Sequence, residues 1–145
     1  MTDLLVRYAH FLAILILTGV LFAEHLLLRD EMSAAEIRRL ARIDRFYGLA
    51  AAGVLAAGLT LWMSGAKPAA FYTANPVFHA KLGLFALAAL ISIHPTVFLI
   101  RQSRLEAQVV RVPRSVRQAV RLELAILILL PLLAVLMAHG VGLRG

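Results

Sequence analysis

Residues 77–100 read VFHAKLGLFALAALISIHPTVFLI, a run in which only Lys81 carries a fixed charge. A bilayer core about 30 Å thick is crossed by a helix of about 20 apolar residues. This run is long enough, and its interior holds no turn cluster that would divide it into shorter elements. Asn75-Pro76 stands immediately before it, and proline suits the first turn of a helix, where its missing N–H costs nothing. The run therefore reads as a membrane helix. Its two histidines and one lysine are out of place in lipid unless they have work there.

Three more blocks share this character: about 4–28, 46–64 and 122–139. Together they predict an all-α fold, a four-helix transmembrane bundle forming one membrane domain over residues 1–145. Hydrophobic residues make up 61% of the chain and the mean hydropathy is +0.85. Soluble domains sit near 45–50% apolar. The first block runs past the length of a secretory signal core and lacks a small-x-small cleavage pattern, so it reads as a retained helix.

The formal charge is +7, but the arginines flank apolar blocks and form no single solvated face, which argues against nucleic acid as a partner. Loop one holds Arg29, Arg38, Arg39, Arg42 and Arg45. Loop three holds Arg101, Arg104, Arg111, Arg114, Arg117 and Arg121, whereas loop two holds only Lys67. The positive-inside rule then places loops one and three in the cytoplasm, and both termini and loop two outside. The expected location is a bacterial cytoplasmic (inner) membrane, crossed several times, with lipid as the immediate partner. Trp62 and Tyr72 fall near the outer interface. Ser33 followed by Glu36 is a capping-box pattern that predicts a short helix in loop one.

The chain has no cysteine, which excludes thiolate metal sites, iron–sulfur clusters and covalent c-type haem. Metal or haem would have to use other side chains. His10 and His25 are fifteen residues apart, as are His79 and His94. Fifteen residues return to within about 60° of the starting face and rise about 22 Å. Each helix would thus carry one histidine in each leaflet on roughly one stripe. Facing histidines at matching depth are what a bis-imidazole b-type haem needs. His10 and His79 are the candidate ligands of a haem iron, with His25 and His94 at a second level. His10 lies about 6 Å deeper in its helix than His79, so helix tilt, or His139 as the outer partner, would have to close the gap. Hydrogen bonding between helices is the plainer use for any one of these histidines.

The second helix is unusually small-faced, with Gly48, Ala50, Ala51, Ala52, Gly53, Ala56, Ala57 and Gly58. Close helix packing is the simpler reading and room for a flat macrocycle the sharper one. Pro95 and Pro131 are positioned to kink their helices. Glu24, His25, Arg29, Asp44, Arg45 and Glu123 gather at the inner end, able to carry protons or to hold a haem propionate through an arginine such as Arg45. For Asp44 and Arg29, ordinary ion pairing at the interface is the simpler expectation.

Phe78-His79-Ala80-Lys81-Leu82 resembles the His-x-Lys-Leu motif that opens a helix in the HemJ-type protoporphyrinogen IX oxidases. His10 is similar in placement to that family's first-helix histidine. Arg45-Phe46-Tyr47-Gly48 is similar to its arginine-led second helix, and Glu123 falls where it has an acidic residue. Val77 stands where the family usually has tryptophan. The resemblance spans most of the chain and implies haem b, with His10 and His79 as ligands or catalytic groups and Lys81 beside them. The chain is also similar to uncharacterised bacterial membrane proteins of this length.

Three functions follow as expectations. One is a haem-dependent oxidoreductase that takes electrons from a porphyrinogen-like small molecule and passes them to quinone. The second is a non-enzymatic transport or metal-handling protein whose histidines and carboxylates line an ion path. The third is an accessory subunit with polar residues as interhelical glue. The residues leave open whether the protein is an enzyme, and a unit this small is a candidate homo-oligomer.

Overall fold

No proline or glycine interrupts residues 34–47, and nothing there stops a helix once it has started. The structure, a computed structural model describing residues 1–106 and 108–142, accordingly runs one helix where two were expected. The order is α1 (Thr2–Leu27), β1 (Glu31–Ser33), α2 (Ala34–Ser64), α3 (Ala69–Thr73), α4 (Pro76–Ser103), β2 (Val109–Arg111) and α5 (Arg114–Ala138). The Ser33–Glu36 capping box forms, with both reciprocal hydrogen bonds. It opens α2 itself and not a separate loop helix. At 31 residues, α2 is about 46 Å long and overshoots a bilayer core by several turns. Likewise α5 starts at Arg114, behind the Pro113 cap, and not at residue 122. Four of these helices are long and apolar enough to cross a membrane.

The long helices form a ring in which α1 packs along α2, α4 along α5, and the two hairpins meet through α2–α4 and α1–α5. Helices α1 and α4, which carry four of the five histidines, therefore face each other across the diagonal. In the apolar spans large side chains point outward: Leu15 and Leu49 are each 70% exposed and Ile128 65%. A surface of that kind suits lipid and would aggregate in water.

Packing is densest at the arginine-rich end. There Ile37, Leu40, Leu99, Val116 and Val120 are buried together with Met32 and Val110. In the first turns of α2, Ile37, Leu40, Ala41 and Asp44 are buried, while Arg38, Arg39, Arg42 and Arg45 are exposed. This is the stripe of an amphipathic helix lying on a core. Loops one and three, distant in sequence, are joined by a two-stranded antiparallel ribbon that the sequence reading did not foresee. Met32 pairs with Val110, and Glu31 with Arg111, whose side chains form an ion pair at 3.2 Å. The Val112 N–H donates to Asp30 O at 2.9 Å, and Arg117 pairs with Asp30. Both arginine-rich loops thus lie at one end of the bundle.

At the opposite end, the Ala66 N–H donates to Asp3 Oδ1 at 3.0 Å, tying the N-terminus to the α2–α3 connection. Asn75 caps α4, its Oδ1 accepting from the Val77 N–H at 2.9 Å. Its Nδ2 donates to Val141 O at 3.4 Å. A Cβ on Gly142, where φ is +87°, would meet Asn75 Oδ1 at 2.7 Å, so only glycine lets the chain pass this cap. Trp62 Nε1 donates to Thr73 Oγ1 at 3.2 Å, and its ring packs on Phe78 with centroids 5.1 Å apart.

Candidate functional site

The deepest polar cluster sits where all four long helices converge, just on the membrane side of the arginine-rich end. Glu24 comes from the last turns of α1, Asp44 from α2 and Glu123 from α5; their exposures are 1%, 5% and 1%. Glu24 follows Leu17 and Leu21 on the buried stripe of α1. The periodicity that buries those leucines also buries the acid. Asp44 continues the stripe of Ile37, Leu40 and Ala41 in the same way, and Glu123 that of Val116 and Val120.

Asp44 Oδ1 accepts from Thr96 Oγ1 of α4 at 3.0 Å. Glu24 lies beside Asp44 within side-chain hydrogen-bond reach, and Tyr47 stands beside both Glu123 and Ser92. One oxygen each of Glu24 and Glu123 is buried with no hydrogen-bond partner among the described residues. The ion pairs among the described residues are Arg7–Asp3, Arg29–Glu36, Arg111–Glu31 and Arg117–Asp30. None reaches the three buried acids. The expected pairing of Arg29 is therefore realised, with Glu36, but that of Asp44 is not: Asp44 turns inward to Thr96, and its neighbour Arg45 is exposed.

Such a cluster cannot stand as three bare anions. An ionised carboxylate out of water costs several kcal/mol even after relaxation, unless a cation or hydrogen bonds compensate it. Two carboxyl groups can hydrogen-bond each other only when one holds a proton, since an ionised carboxylate is acceptor-only. The arrangement is thus suited to holding protons, with Tyr47, Ser92 and Thr96 as hydroxyl neighbours. Those three hydroxyls were missed in the sequence. Tyr47 is one turn after Asp44, and Ser92 and Thr96 are one turn apart on α4, which is the signal that would have found them.

The histidines do not gather. His10 Nδ1 is 3.1 Å from Val54 O of α2, and a Cβ on Gly58 would lie 3.2 Å from its ring. His10 is therefore packed against the small face of α2. Its other ring nitrogen, Nε2, has no bond among the described residues, and Lys81 lies within electrostatic reach. His79 is exposed, its Nε2 2.8 Å from Thr73 O. His94 is exposed with its Nε2 3.0 Å from Ser115 Oγ of α5. His25 lines a small pocket with Arg117 and Arg121, and His139 Nδ1 bonds Val135 O one turn back at 3.0 Å. His10 and His79 thus project to different neighbours across the bundle diagonal, and so do His25 and His94. Among the described residues no three histidine or carboxylate side chains are arranged to hold a metal ion.

The small face of α2 is divided between two uses. Gly53 meets Ala13 of α1 at 3.4 Å from a built Cβ, and Gly58 meets His10, which is close helix packing. Gly48 and Ala51 instead line a cleft of about 300 Å³ against α4, a volume at the lower end of ligand pockets. None of the five histidines lines that cleft.

The fold and the buried acids define a multi-pass membrane protein with a carboxyl cluster, unpaired by any cation among the described residues, at one end of its bundle. The chain belongs to the family described as "Predicted membrane protein (DUF2214)", which it matches over residues 2–142. No curated protein and no solved structure matches it significantly.

Proposed function

We propose that the protein is a non-enzymatic, proton-coupled membrane transporter in which Glu24, Asp44 and Glu123 hold and release the coupling proton. The observation that carries this reading is the pair of buried, unpartnered carboxyl oxygens on Glu24 and Glu123, with no cation paired to them among the described residues. Intramembrane ionisable groups of this kind mark proton relays. The acids come from three helices, and Asp44 is bonded to Thr96 of the fourth, so a change in protonation bears on how the two hairpins pack together. Protein reconstituted on a supported membrane should give a capacitive current when the pH is jumped, as the cluster loads or unloads protons. The triple variant Glu24→Gln/Asp44→Asn/Glu123→Gln should give none. A wild-type trace identical to that of empty lipid would overturn the reading.

In the proposed setting the arginine-rich end faces the cytoplasm of a bacterial inner membrane, and the termini face out. The absence of native cysteine makes this simple to test. A cysteine at Lys67 should react with an impermeant maleimide applied to intact cells, and one at Glu31 only after lysis. The reverse pattern would invert the topology.

A second reading is haem-dependent redox chemistry, the activity the HemJ-type resemblance implies, with quinone as acceptor and a porphyrin-like substrate. One observation favours it. If His10 donates Nδ1–H to Val54 O, its Nε2 lone pair is free, the tautomer and second-shell bond typical of a metal-ligating histidine. His10 would be the residue to hold the iron of a haem b, which would supply one-electron transfer. His79, on the diagonal helix with its Nε2 at Thr73 O, does not face it, so the residues as placed do not fit a shared iron. A b-type reduced-minus-oxidised spectrum that disappears in His10→Ala would establish the haem. A flat spectrum from folded, haem-supplied protein would remove this reading.

A further inference from the structure

The cleft between α2 and α4 has a definite shape. Its α4 wall is Phe85, Ala88, Ala89, Ser92, Ile93, Thr96, Val97 and Ile100, a single stripe at helical spacing that runs about 22 Å along the axis. Its α2 wall is shorter, Asp44, Arg45, Tyr47, Gly48 and Ala51, with the small Gly48 and Ala51 at the end away from Arg45. The lining is almost wholly apolar, and the groove is open on its outer side, where Ile93 is 55% exposed and Val97 38%. It lies on the seam where the two helical hairpins meet. A groove parallel to the helices, narrow, apolar and open to the membrane has the form of a bed for one extended hydrocarbon chain.

Its ends differ. Arg45 lines the groove at one end. Arg42 precedes Arg45 by about one turn on α2, while Arg101 and Arg104 follow Val97 and Ile100 by one turn on α4. All four arginines are exposed. Positive charge is therefore concentrated at the arginine-rich end of the groove, where four arginines stand against the single Lys81 one turn before Phe85 at the other end. A neutral or cationic amphiphile would gain nothing there, whereas an anionic headgroup would meet several guanidinium groups at interface depth.

We infer that this groove is a binding site for one acidic phospholipid of the leaflet at the arginine-rich end, with an acyl chain laid between α2 and α4 and the phosphate held at Arg45. The bound chain fills the seam between the hairpins and closes the membrane side of Asp44 and Thr96, which form part of the groove wall. The inference rests on groove shape and rim charge, not on proton exchange, so either can fail without the other.

The test is native mass spectrometry of the full-length protein, delipidated in detergent and then offered equal amounts of phosphatidylglycerol and phosphatidylcholine with identical chains. One lipid should be retained per chain, phosphatidylglycerol over phosphatidylcholine by about 5-fold, as one arginine contact at the interface supplies. Gly48→Leu should lower retention of both lipids at least about tenfold, because a Cβ at Gly48 meets no atom within 4 Å and the added side chain enters the groove. Gly19→Leu adds the same bulk at an exposed α1 position with equal free space and should change nothing. Arg45→Gln, an exposed replacement that leaves the helices intact, should bring the two lipids to near parity while keeping chain binding. It decides the case even if Gly48→Leu fails to fold. Equal retention of the two lipids by the wild type, or undiminished retention by folded Gly48→Leu, would overturn the inference. So would a lipid-free dimer broken by Gly48→Leu, which would make a second copy of the chain the occupant.

Discussion

Replacing Glu24 with leucine should leave the protein folded, with stability unchanged or higher by about 1 kcal/mol, while weakening its response to a pH jump. A structural acid behaves in the opposite way. When a buried carboxyl serves stability through a paired cation, removing it strands the partner and costs about 3–5 kcal/mol. Among the described residues Glu24 has no such partner. Its near neighbour is another acid, Asp44, and one of its own oxygens is unsatisfied. A buried polar group without full compensation is itself a burden of about 1–3 kcal/mol by mutational measures. Leucine is of similar length and continues the Leu17–Leu21 stripe of α1. Stability surrendered at a site that functions is a common trade, and Glu24→Leu would recover it. Denaturation in a fixed detergent, run beside charge displacement on the same preparation, measures both quantities. A large loss of stability with the proton response intact would make Glu24 a structural residue.

The second large effect lies in the arginine-rich cap. Leu40→Ala should cost about 2–5 kcal/mol, the usual range for emptying a packed core position, whereas Leu15→Ala should cost well under 1 kcal/mol. Leu40 is 1% exposed in the core formed by Ile37, Val116 and the β1–β2 ribbon, and Leu15 is 70% exposed on the lipid-facing side. In lipid an exposed leucine gains little from burial, because the chains around it are equally apolar. In the arginine-rich cap the same side chain is removed from water and rewarded for it. Limited proteolysis of loop three in the two variants reports the difference. Rapid cleavage in Leu40→Ala and wild-type resistance in Leu15→Ala is the expected pair, and equal behaviour would show that the cap is not a water-excluding core.

The four spans were legible because each is an apolar run of sufficient length with arginines flanking one end, and lipid imposes that pattern with little help from tertiary contacts. The pairing of loops one and three was not legible. It rests on three-residue strands whose Met32–Val110 alternation is too short to stand out, and on the reach of Arg117 to Asp30. The beginnings of α2 and α5 were misplaced for a related reason. Hydropathy marks where lipid starts, whereas the helix starts at its cap, at Ser33 and Pro113, several turns earlier. Glu24, Asp44 and Glu123 were recognisable as acids near one end. That no cation among the described residues pairs with them was not, since Arg29, Arg45 and Arg121 stand within a few residues in sequence yet none is placed as a partner. The equal spacing of His10–His25 and His79–His94 is real, but spacing along one helix does not say which neighbour the helix faces. His10 meets α2 and His94 meets α5, a difference decided by bundle order.

The most direct test of the carboxyl cluster is infrared difference spectroscopy of the reconstituted protein at neutral pH, read in the carbonyl stretch of protonated carboxylic acids. A protonated-acid band should be present in the wild type, shift on transfer to heavy water, respond to a pH jump, and be lost in the triple amide variant. A folded wild-type protein with no protonated-acid band at any pH near neutrality would contradict the account, because Glu24, Asp44 and Glu123 would then be neutralised by something other than a proton.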